Sequence, residues 1–265
     1  MAWTPEFMGF GNVLLVALWA HEQTVSGRPT YTLATPATDG WFDPFPTLRP
    51  CFLQRHEVRL TDRRVMPWTA ASKAAAPDED PYRPIDMEAV ERFLRDVLLP
   101  GSVLAAVDSA ADGPDTLVLN VRRGDYYSDP DVRGQYGFDL ETYLRLAVQR
   151  SCEADGDPRR IVVVSDGLDW CRARLGWLGD AAPVDFASPV SAVDDFVRVA
   201  SATRIIVTNS TFSYWAAYVS NMLHGGTHAQ VWAPRFFDRS RNGGRGWLLD
   251  ERWSVVEDIP GGWDS

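Results

Sequence analysis

The chain holds 265 residues in 29.6 kDa, 45% of them hydrophobic and 23% charged, which supplies a buried core and excludes a disordered polymer. Lys and Arg number 26 against 36 Asp and Glu, and the formal charge of -10 argues against general binding to nucleic acid or anionic membranes. Lys73 is the only lysine, in a segment without glycines, so a lysine-based phosphate loop and a pyridoxal Schiff base are excluded and any grip on phosphate falls to arginine or backbone N–H groups.

Residues 7–20, FMGFGNVLLVALWA, read as a glycine turn entering a buried helix. Gly9, Gly11 and Asn12 interrupt the apolar run and Glu6 flanks it, so neither a signal peptide nor a membrane span is expected. Only six residues precede this stretch, so the strand expected ahead of the turn is abbreviated or begins upstream. Residues 30–66 hold short extended runs broken by prolines, and 69–84 read as a surface loop or linker. Asp86 is expected to cap a helix carrying Met87, Val90, Leu94, Val97 and Leu98 on one face.

From residue 115 the pattern is regular. Leu117–Val121 reads as a strand, and Asp139 caps a helix with Leu140, Tyr143, Leu144 and Ala147 inward. Ile161–Val164 has no polar alternation, as in a strand buried on both faces. A helix near 168–178 and a short strand Val184–Phe186 follow, then a helix capped by Ser191 with Asp194. Arg204–Val207 reads as a strand, Phe212–Leu223 as a helix ending at Gly225-Gly226, and Ala229–Ala233 as the last strand. This alternation predicts an α/β fold with a parallel sheet covered on both faces.

Ligands of such sheets bind beyond the carboxyl ends of the strands. The segments found there are Arg122–Tyr126, Ser165–Gly167, Thr208–Ser213 and Pro234-Arg235. Arginine offers a planar, permanently charged fork for phosphate oxygens, and Ser210 and Thr211 open a helix whose free N–H groups favour an anion. Asp125 is placed to hold the arginines. The combination suits a diphosphate.

Other signals weigh less. The Arg123-Gly124-Asp125 tripeptide directly follows a buried strand, which argues against an adhesion ligand. The acidic triplets Asp78–Asp80, Asp129–Asp131 and Asp155–Asp157 lie in polar loops and read as solvated. Cys51, Cys152 and Cys171 have no disulfide or zinc spacing, and reduced thiols suit the cytoplasm. His224 and His228 are separated by two glycines, so no metal site is expected. Trp19, Trp170 and Trp215 are assigned to the core, whereas Trp41, Trp68 and Trp232 lie near turns or strand ends, where an acceptor sugar can stack.

The chain resembles the α-1,2-fucosyltransferase family. Gly9–Asn12 is similar to the family's early glycine-asparagine turn. Asn120–Tyr126 (NVRRGDY) is similar to H-x-R-R-G-D-Y, and Asn209–Tyr218 (NSTFSYWAAY) to N-S-T-F-S-W-W-A-A-Y. Tyr136–Leu146, Ser165–Cys171 and Val231–Phe237 fit in order and spacing.

The resemblance implies a GT-B-like α/β architecture of two Rossmann-like halves with parallel sheets. The first, residues 1–105, is reduced and faces the acceptor; the second, residues 106–265, binds GDP-fucose. It implies metal-independent, inverting transfer of fucose to a galactose-containing glycan, free or lipid-linked, by a cytoplasmic enzyme or one peripheral at the inner membrane face. No cofactor is implied beyond the GDP-fucose donor. Arg122, Arg123 and Asp125 take the catalytic positions. Asn120, Arg122, Asp166, Asn209, Ser210, Thr211, Phe212, Gly9, Gly11 and Asn12 take the donor-binding ones. Three positions depart from the family: Asn120 replaces a histidine, Gly167 an aspartate and Tyr214 a tryptophan. The first two motivate an alternative, a degenerate binder of nucleotide sugar or glycan; transfer of another nucleotide sugar is a further one. Asp125 and Asp166 are the nearest bases by sequence, and the choice is left open.

Overall fold

The computed structural model describes residues 1, 2, 6, 8–64, 85–106, 113–188, 190–240 and 242–264. It divides into two compact units, Met1–Ala106 and Val107–Ser265. The segment 69–84, with Lys73, Asp78 and Asp80, and also Trp68, lie outside the described residues. No helix among the described residues is long and apolar enough to cross a membrane.

The first unit is built on α1, Phe10–Val25. Residues 13–20 are buried without a break, because α2, α3, β1 and a 3-10 turn at Pro46–Cys51 surround the helix. Here α2 is Pro36–Phe42, and α3 is Met87–Phe93, continued by a wider turn through Leu98. Two-residue strands β1 (Thr32–Leu33) and β2 (Phe52–Leu53) pair in parallel. Ahead of α1, Ala2 bridges Thr32 in parallel. Asp86 caps α3 as expected, its Oδ1 accepting from the Glu88 N–H at 3.0 Å.

The second unit holds a six-stranded parallel sheet, as the alternating pattern predicts. Its strands are β3 (Thr116–Val121), β4 (Arg160–Ser165), β5 (Val184–Phe186), β6 (Arg204–Val207), β7 (Val231–Pro234) and β8 (Ser254–Val256). Their order is β5-β4-β3-β6-β7-β8. Every residue of β3 and β6 is buried, which is why these strands read as apolar runs.

One sheet face packs on Leu140, Tyr143, Leu144 and Ala147 of α6 (Leu140–Asp155). Helix α8 (Ala192–Ala200) contacts β3 and β4 and packs against α9 (Thr211–His224). Asp139 and Ser191 cap α6 and α8 as expected.

Four features differ from the sequence reading. Residues 124–136 form two short helices, α4 (Gly124–Ser128) and α5 (Pro130–Tyr136). The helix expected over 168–178 breaks after α7 (Leu168–Arg174) into a 3-10 turn. Strand β8 extends the sheet beyond the expected last strand. Trp232, expected to face an acceptor, is buried in β7 within the core, whereas Trp170, expected in the core, is half-buried at its edge.

Candidate active site

The chain runs from β3 to β4 and β5 on one side, then returns to place β6 beside β3. The order therefore reverses between β3 and β6, the position beyond whose strand ends ligands of such sheets bind. Register decides what stands there. Val121 pairs with Ser165, so Arg122 and Asp166 leave the sheet side by side. Asn120 pairs with Val207, which brings Thr208 against the same loop.

Arg122 lies at the centre. Its backbone N–H donates to Thr208 Oγ1 at 2.9 Å. Its guanidinium donates to Asp166 Oδ2 through Nη1 at 2.5 Å and to Asp125 Oδ1 through Nη2 at 2.5 Å. The Tyr126 ring lies 5.1 Å from the guanidinium carbon. Burial lowers the pKa of this group, but Asp166 and Asp125 outweigh it and the net direction is up. Arg122 is thus a fixed cation with a third of its side chain exposed and further N–H groups to offer.

Asp166 holds two strand ends together. Besides Arg122, it accepts from the Arg123 backbone N–H at 2.6 Å through Oδ1. The Arg123 guanidinium turns elsewhere, 3.9 Å from the Tyr127 ring centre and 4.3 Å from that of Trp170. Among the described residues it makes no ion pair, and burial lowers its pKa. The Tyr127 hydroxyl, pushed up to about 12 by burial, stays neutral and donates to Phe138 O. Arg123, Tyr127, Trp170, Asp166 and Arg172 line a cavity of about 520 Å³.

Two glycines make this packing possible. A Cβ at Gly124, whose φ is +23°, would lie 2.7 Å from Asp166 Oδ2. A Cβ at Gly167 would lie 2.5 Å from Arg123 Cβ. Gly167 therefore leaves room for Arg123.

The remaining expected residues fall into two groups. Asn120 and Asn209 are buried, with their amides engaged by the protein. Asn120 accepts from Ser213 Oγ at 2.5 Å and donates to Val164 O at 3.3 Å. Asn209 Nδ2 donates to Tyr136 O and Phe237 O, both at 2.8 Å. Ser210 is the N-cap of α9 but makes no side-chain cap bond, so the first-turn N–H groups are not taken by its hydroxyl. Thr211 and Phe212 begin the helix half-buried, with the Phe212 ring edge-on to Phe196 at 5.4 Å. Arg235 turns away to the Glu257 carbonyl.

Gly9, Gly11 and Asn12 belong to the first unit. The expected glycine turn is shorter than read: Gly9 is the N-cap, while Gly11 and Asn12 already lie in α1. Gly9 has an ordinary φ of -67°, and a Cβ there would meet nothing within 4 Å. Trp41 stacks on Phe10 at 3.5 Å.

Asp129 caps α5, accepting from the Asp131 and Val132 N–H groups. Asp155 and Asp157 are exposed. Tyr127 was missed, and Thr208, Gly124 and Gly167 were placed in the segments at the strand ends without a role of their own. Thr208 had a signal, since it is the first residue beyond β6.

Residues 106–235 match the family described as Glycosyl transferase family 11. The resemblance to the α-1,2-fucosyltransferases is shown. Galactoside alpha-(1,2)-fucosyltransferase 1 of Aotus azarae and that of Aotus nancymaae are each 33% identical over 113 residues, 42% of this chain and 31% of theirs. The enzyme of that name from Alouatta belzebul is 32% identical over 111 residues, 41% of this chain and 30% of its own. The match to these relatives thus spans under a third of their length. The family 11 stretch contains the Arg122 loop, Asp166 and the start of α9.

Proposed function

We propose that the protein transfers L-fucose from GDP-fucose to a glycan hydroxyl, O2 of a galactose, with inversion and without a metal. The observation that carries this reading is Arg122, fixed between Asp125 and Asp166 at the point where the strand order reverses, with the N-terminus of α9 beside it. An acceptor hydroxyl attacks the anomeric carbon of fucose as GDP departs from the opposite face through an oxocarbenium-like transition state. Negative charge grows on the β-phosphate. Arg122 and the first N–H groups of α9 supply fixed donors for it, with little reorganisation. Asp125 and Asp166 are both engaged by Arg122, so the proton acceptor is assigned to neither. The second unit is the donor side and the first the acceptor side. The acceptor is a galactose-containing glycan, free or lipid-linked, and the site of action is the cytoplasm, where Cys51, Cys152 and Cys171 stay free.

The test is turnover of GDP-fucose, GDP-mannose and UDP-galactose in EDTA, with galactose-terminated acceptors. GDP release from GDP-fucose alone, with an inverted anomeric signal in the product, is the expected result. Asn120, whose amide carries no titrating proton, favours one second reading, a non-catalytic binder of the same nucleotide sugar. Tight GDP binding without transfer or donor hydrolysis would select it.

A further inference from the structure

The first unit contains a cavity of about 610 Å³ that shares no lining residue with the Arg122 loop. Its volume lies within the range of small-molecule sites. Its walls include Gln23 and Trp19 from α1, Tyr31 beside β1, and the charged residues Arg28, Arg59, Arg63, Glu57 and Asp62.

Gln23 is 5% exposed, yet its amide makes no hydrogen bond among the described residues. The Trp19 indole N–H, buried at the same wall, has no partner either. Leaving that buried indole donor unsatisfied costs about 1–3 kcal/mol, so a group that accepts from it here is favoured. Arg28 and Arg59 make no ion pair among the described residues. Glu57 and Asp62 each use one oxygen on a backbone N–H, from Gln54 and Arg59 respectively, both at 2.7 Å. The cavity therefore offers donors and acceptors together, next to aromatic side chains.

A bare anion has no use for the two carboxylates, and an apolar ligand has no use for the amide. Sugar hydroxyls both donate and accept, so they match carboxylate, amide and guanidinium at once. Arg28 and Arg59, outside any ion pair among the described residues, place positive charge at this wall in a chain of net charge -10. We propose that this cavity binds a saccharide bearing one anionic group, with Gln23 and the carboxylates on its hydroxyls and Arg28 and Arg59 on its charge. This assignment stands independently of the fucosyl-transfer reading.

The experiment is calorimetric titration of the full chain with a glucuronic-acid-terminated disaccharide. Glucose 1-phosphate, the neutral cellobiose and inorganic phosphate complete the probe set. The acidic disaccharide is expected to bind at least tenfold more tightly than cellobiose, and glucose 1-phosphate more tightly than inorganic phosphate. Q23L should weaken the acidic disaccharide at least tenfold, and R59Q should weaken it while leaving cellobiose unchanged. Thermal melting of each variant checks the fold, and GDP titration reads the Arg122 site separately. Three results would each overturn the proposal. One is no binding of either acidic sugar at millimolar concentration. Another is equal affinity for cellobiose and the acidic disaccharide. The third is acidic-sugar binding that survives both substitutions. Inorganic phosphate binding as tightly as glucose 1-phosphate would overturn the saccharide part.

Discussion

Arg122 and Arg123 are adjacent in the chain, yet their guanidinium groups have different surroundings. Arg122 lies between two carboxylates, whereas Arg123 lies between two aromatic rings. The sequence identified both as candidates, but side-chain direction beyond the strand end is set by Asp166 and Gly167, which arrive from β4. Arg122→Ala is expected to lose roughly 2–3 kcal/mol of GDP affinity, or about 30- to 150-fold by calorimetry, as one charged hydrogen-bonding partner disappears. Unchanged affinity would remove the phosphate role. Gly167→Ala tests the packing. Less unfolded-state freedom would stabilise by about 0.4–1 kcal/mol. The Cβ 2.5 Å from Arg123 Cβ costs more, roughly 1–3 kcal/mol, so a lower melting temperature is expected.

The elements most legible in sequence are those whose signals are local. Asp86, Asp139 and Ser191 cap their helices as read, because a cap bonds to N–H groups two or three residues away. Asp139→Ala is expected to cost about 0.5–2 kcal/mol, measurable by denaturant unfolding. Helices α4 and α5 were not legible, since each is shorter than two turns or close to it and buries no residue of its own. Glu141 in the first turn of α6 accepts from Arg145 at 2.9 Å, an i,i+4 pair of the local kind, and from Arg174 of α7 at 2.9 Å, a contact no local rule gives. The Arg145 hydrogen bond, aided by Arg174, lowers its pKa against opposing burial. Its contribution to stability is therefore complete above the ordinary value of 4.5 and lost as pH falls through the lower folded value. Glu141→Gln should lower the melting temperature at pH 7, and the difference from the parent should vanish in strong acid.

At the scale of the molecule, the second unit closes on residues far from its motifs. Trp263 stacks on Phe236 at 5.7 Å and meets Phe138 edge-on at 5.3 Å, and it belongs to the same core as β3 and β4. Trp263→Ala is expected to cost about 3–5 kcal/mol in unfolding experiments, far more than an exposed C-terminal tryptophan would. By itself the sequence determined the α/β class, the buried strands, the helix caps and the residues that follow each strand. Those features follow from periodicity and from hydrogen bonds that close within a few residues. Only the tertiary structure decided the strand order, the point of reversal between β3 and β6, the clamp of Asp166 on Arg122 and the burial of Trp232. Each depends on pairing between segments more than 20 residues apart, and Arg122 and Asp166 are separated by 44. Sequence periodicity shows which face a strand buries but not which strand lies beside it.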